Sequence, residues 1–138
     1  HSLLVEKIFA KQFPQMDNPS KLFALLHDSA EYVIGDMISP LKSHLGNTYE
    51  ELDEKLTRAI CIRFNIPTKK IKIIKRRVKL ADKKAAWLEA IHLAGFSKQE
   101  ADRIFGKHEE IKGYENSLLP QPPFFIRKKF VNRFNDLY

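Results

Sequence analysis

Residues Leu22 to Lys42 read LFALLHDSAEYVIGDMISPLK. Leu22, Phe23, Leu25 and Leu26 suit the core face of a helix, yet His27, Asp28, Glu31 and Asp36 fall within the ten positions that follow. Burying an ionisable group is costly unless it is paired, hydrogen-bonded or bound to a metal. His27 and Glu31 are four apart and share a helix face. Asp28 lies about 100° round the helix, from where its carboxylate can still approach the imidazole's neighbourhood. The pattern predicts a helix from about Pro19 to Ile34, with Asn18 as N-cap, Pro19 at the first position and Gly35 at the end. Its polar edge can offer an imidazole nitrogen and a carboxylate oxygen to one cation.

Other helices are expected on both sides. Leu4, Ile8 and Phe9 form a stripe from His1 to about Phe13, closed by Pro14. Gly35 to Asn47 reads as a loop. Thr48, with Glu51 as capping-box partner, opens a third helix bearing Leu52, Leu56, Ala59, Ile60 and Phe64. A break at Asn65 to Thr68 precedes a long fourth helix from about Lys69 to Leu93. Ser97 caps a fifth through about Phe105, and Gln121-Pro122-Pro123 leads into a basic, aromatic helix ending near Asn135. Strand-like alternation is hard to find, and only five glycines occur in 138 residues. The fold expected is all-α: one compact domain, 1–138, a bundle of about six helices with residues 107–138 as a tail upon it. Trp87, Phe96 and Cys61 read as core.

The single cysteine excludes an internal disulfide and a thiolate zinc cluster, which fits a cytoplasmic protein. No run of eighteen apolar residues or signal peptide is visible, so no membrane partner is expected. The chain opens on His1 rather than Met, which reads as a processed or incomplete N-terminus. The net charge is +7. KKIKIIKRRVKLADKK, Lys69 to Lys84, holds nine Lys or Arg against one Asp, so the remainder is close to neutral. The plainest account is a solvated helix face. The alternative is a nucleic-acid-binding module, but the segment has no interleaved aromatic set, so nucleic acid is not the expected partner.

Two more stretches bear on the cluster. In VKLADKKAAWLEA, Val78 to Ala90, Asp82 sits among Ala81, Ala85 and Ala86, small residues that let another helix come close. In HSLLVEKIF, His1 opens the first helix, where it can be presented inward. The order His1, His27-Asp28, Asp82 resembles the HD-domain metal-dependent phosphohydrolases. HDSAEYVIGDMISPLK is similar to their bacterial 5′-deoxynucleotidase-like branch, as are HSLLVE, RFNIP and KLADKKAAWLEAIHLAGF. The likeness runs from His1 to about Gly106.

The resemblance implies that His1, His27, Asp28 and Asp82 bind one divalent cation. Two imidazoles and two carboxylates suit manganese, cobalt, iron, zinc or magnesium. It implies hydrolysis of a small phosphorylated substrate, a nucleoside 5′-monophosphate above all, by metal-activated water. Triphosphates, cyclic nucleotides and alarmones are alternatives on the same scaffold. Glu31 takes the proton-transfer role, and Asp36 a contact to the sugar. Lys42 and Lys79 are candidate phosphate contacts. The aromatic tail PPFFIRKKFVNRF can rest on the body or on a second subunit in a homodimer.

Overall fold

A computed structural model describes residues 1–109 and 113–138. The described residues form eight α-helices, two single 3-10 turns and no strand. The all-α expectation holds. The count of six does not, and both additional helices arise around the stretch 22–42.

The first helix, α1 (Ser2–Gln12), buries Leu4, Val5, Ile8 and Phe9. Against it runs α6 (Ile71–His92), whose Ile74, Val78, Ala81, Ala85 and Leu88 are buried. Ala81 and Ala85 are fully enclosed, so the backbones around Asp82 approach closely. The second helix, α2 (Asn18–Leu25), packs on both, contributing Leu22, Phe23, Ala24 and Leu25. Its N-cap is Asp17, not Asn18: the Asp17 carboxylate accepts the N–H of Ser20. A carboxylate at this position also faces the positive end of the helix dipole.

The expected continuous helix to Ile34 is broken. The Nδ1 of His27 lies 3.0 Å from the Ala24 carbonyl oxygen, which an unbroken helix would give to the N–H of Asp28. Side-chain competition for a backbone acceptor of this kind ends helices. Tighter turns follow, with Ser29 N–H on Leu26 O and Glu31 N–H on Asp28 O, both at 2.9 Å. A one-turn helix, α3 (Glu31–Ile34), then stops at Gly35, whose φ of 78° is in the left-handed region. Residues expected as loop form α4 (Ser39–Leu45). Pro40 falls in its first turn, the place where a helix accommodates proline.

The long α5 (Asn47–Arg63) begins before Thr48, so the expected capping box is absent and no side chain caps it. Asn65 turns the chain at φ 54°. A 3-10 turn, Thr68–Lys70, leads into α6. Ser97 caps α7 (Lys98–Phe105) as expected, and Glu100 completes a capping box with it. The last helix, α8 (Pro123–Leu137), returns to the body and buries Leu137. There Arg133 grips the buried Glu6 of α1 with two bonds, Nη2 to Oε1 at 2.6 Å and Nε to Oε2 at 3.0 Å. Phe134 meets Phe64 edge-on, centroids 5.3 Å apart. Residues 110–112 of the tail lie outside the described residues.

Trp87 and Cys61 are fully buried, as expected, whereas Phe96 is 38% exposed. Phe96 follows Gly95 in the turn after α6, where the core has ended. No helix among the described residues is long and apolar enough to cross a membrane.

Candidate metal centre

Three separate segments meet where α1 begins. His1 caps α1, His27 and Asp28 occupy the turn after α2, and Asp82 projects from the middle of α6. One ligand atom each from His1, His27 and Asp82 lies within 4.8 Å of the others. The Nε2 of His1 is 3.0 Å from Asp82 Oδ1 and 4.0 Å from Asp28 Oδ2. The Nε2 of His27 is 3.0 Å from Asp28 Oδ2 and 3.9 Å from Asp82 Oδ1. All four expected ligands are thus gathered, from positions 81 residues apart in the chain for His1 and Asp82.

The arrangement fits a cation better than it fits hydrogen bonds alone. His27 Nε2 is buried and has no hydrogen-bond partner. Its 3.0 Å approach to Asp28 is close enough for charge attraction, but it is not a formed hydrogen bond. An orphaned buried nitrogen costs free energy. Both imidazoles face the carboxylates through Nε2 and have Nδ1 held from behind. His27 Nδ1 meets Ala24 O at 3.0 Å, and His1 Nδ1 meets Glu89 Oε2 at 2.8 Å. Carbonyl and carboxylate acceptors behind a ligating imidazole fix its tautomer and aim the other nitrogen at the metal. Glu89 is absent from the sequence reading. Its signal was spacing, since it lies seven residues, two helical turns, after Asp82 on α6.

The electrostatics agree. Hydrogen bonds to Asp82 first, then Glu89, push the His1 imidazole up to about 10. His1 and Asp82 thus form a charged pair in this structure, and both would serve as ligands to a cation held here. Burial opposes ionisation of Asp28, yet the His27 contact and the charges of His27, His1 and Lys42 hold its carboxyl below the usual Asp value.

The expected catalytic residues lie on the next turns. Glu31 opens α3 and accepts a bond from Lys42 Nζ at 3.2 Å. Lys42 loses some favour by burial, but Glu31, Tyr49 and Asp36 outweigh that and raise it. Lys42 therefore ties Asp28, Glu31 and Asp36 into one charge network. Asp36 is exposed in the link after Gly35. Lys79 lines a cleft of about 220 Å³ together with His27, Asp82 and Asp53. His108 lies apart from the cluster, its Nε2 on Phe105 O and its ring beside Trp87.

The chain is all-α, and it brings the nitrogens of two imidazoles close to the oxygens of two carboxylates, a group that could hold a cation. Among known proteins, the chain is 47% identical over 133 residues to an uncharacterized protein of Rhodobacter capsulatus, covering 96% of this chain and 68% of that one. The chain belongs to the same family as that bacterial protein. No family model matches it.

Proposed function

We propose that the protein is a metal-dependent phosphohydrolase acting on a nucleoside 5′-monophosphate or a similar small phosphate ester. The observation that carries this is the buried, unbonded Nε2 of His27 facing the oxygens of Asp28 and Asp82, with His1 Nε2 beside them. His1, His27, Asp28 and Asp82 would hold the ion. A divalent cation there lowers the pKa of water and polarises a phosphoryl oxygen.

The chain's own groups supply the rest. Lys42 Nζ occupies Oε1 of Glu31, leaving Oε2 to take a proton from the attacking water and return it to the leaving alcohol. Lys42 holds that carboxylate in place and lends positive charge to the side where phosphate enters. It is a shared contact rather than an independent phosphate anchor. Lys79, exposed at the mouth of the cleft, is the freer phosphate contact. Asp36 can accept a hydrogen bond from a sugar hydroxyl.

The test pairs metal analysis with a panel of phosphorylated substrates. Wild-type protein should hold about one ion per chain and release phosphate. Glu31→Gln should keep the ion and lose about 10²–10⁴-fold in rate. His27→Ala should lose both. Phosphate release that never exceeds a metal-free control rejects the enzyme reading.

A further inference from the structure

The long α6 carries a feature that hydrolysis of a small ester does not use. Lys72, Arg76, Lys79 and Lys83 are all exposed. At 100° per residue they fall within about 60° of arc, and at 1.5 Å per residue they span about 16 Å. None of the four makes an ion pair with a described residue. Their spacings of four, three and four residues make each neighbouring pair a like-charge repulsion on the helix surface.

The stripe borders a groove rather than a convex surface. A cleft of about 510 Å³ is lined by Phe13, just past the end of α1, with Ile73, Leu80 and three of the four cations, Arg76, Lys79 and Lys83; Lys72 continues the row one turn before Arg76. Ile73 and Leu80 are each 57% exposed beside the cations. The Arg77 guanidinium lies over the Phe13 ring, 5.0 Å from its centroid. The segment supplies Ile73 and Leu80 itself, and folding adds the aromatic ring it lacks, Phe13. The groove adjoins a second cleft through Ile73 and Arg77, and the metal-centre cleft through Lys79.

We propose that this groove binds single-stranded nucleic acid, its phosphates along the four cations and its bases against Phe13, Ile73 and Leu80. A single strand exposes base faces to apolar and aromatic side chains, which a duplex does not.

The test is fluorescence anisotropy of a labelled 20-nucleotide mixed-sequence strand, with chelator present. The measurement then stands whether or not the protein is a phosphohydrolase. Four phosphate contacts give a salt slope near −2.8, a loss of about 50-fold in affinity between 50 and 200 mM salt. Lys72→Gln with Arg76→Gln should halve the slope, leaving about a sevenfold loss over the same range. Arg127→Gln with Lys128→Gln on α8 removes the same net charge and should leave the slope unchanged. Circular dichroism confirms that both variants are folded. No binding at 50 mM salt, or an equal effect of the α8 pair, overturns the proposal. So does tighter binding of duplex, or displacement of the strand by inorganic polyphosphate at equal phosphate concentration.

Discussion

At the scale of single residues, the candidate metal centre includes groups that stand behind its imidazoles rather than among the proposed ligands. Glu89 holds His1 Nδ1 at 2.8 Å, so Glu89→Ala should weaken manganese or cobalt binding about 10–100-fold while the fold survives. Calorimetric titration reads this directly; an unchanged affinity would remove Glu89 from the site. Asp17 gives a pH-dependent counterpart. Its bond from the Ser20 hydroxyl, foremost, holds its carboxyl below the ordinary 3.8. A depressed folded value means the cap stabilises above the unfolded value and fades as pH falls through the folded one. Asp17→Ala should cost about 1 kcal/mol at pH 7, and the difference from wild type should vanish toward pH 2 in denaturant titrations. That His1, His27, Asp28 and Asp82 come together was legible because their types and order are distinctive. Glu89 was not, since a glutamate on an alternately apolar helix looks like a solvated one until His1 is folded against it.

At the scale of elements, reading succeeded where local chemistry decides and failed where side chains overrule the backbone. Ser97 and Glu100 form their capping box because both partners lie within four residues. The break after α2 depends on His27 capturing a carbonyl, and no Gly or Pro announces it. Gly35 to Asn47 reads as a loop, yet Pro40 sits in the first turn of α4. The junction of α1 with α8 was equally hidden, because Arg133 and Glu6 lie 127 residues apart. Arg133→Ala should cost about 3 kcal/mol, since it leaves the Glu6 carboxylate buried without its partner. Urea unfolding measures this, and a loss under 1 kcal/mol would mean Glu6 finds another partner. The alanines at 81 and 85 work in the opposite sense. Ala85→Leu adds volume to a closed position and should destabilise by about 1–3 kcal/mol.

At the scale of the whole molecule, the proposed ligands join α1, the turn after α2 and α6, the segments that also share the core. Cation binding should therefore stabilise the entire chain. At 100 times its Kd, manganese adds about 2.7 kcal/mol, which for a chain of this size raises Tm by about 10 °C. A thermal melt with and without the ion checks it, and His27→Ala should show no shift. The all-α class was readable from scarce glycine and helical spacing. The gathering of α1 and α6 around the ligands was not, because it depends on contacts across most of the chain. Another consequence belongs to Cys61, whose thiol is wholly enclosed and pushed up by burial. As the chain's sole sulfhydryl, it is shielded from an alkylating reagent while the native state persists. The pace at which that reagent consumes it then acts as a stopwatch for opening of the interior, with no engineered label required.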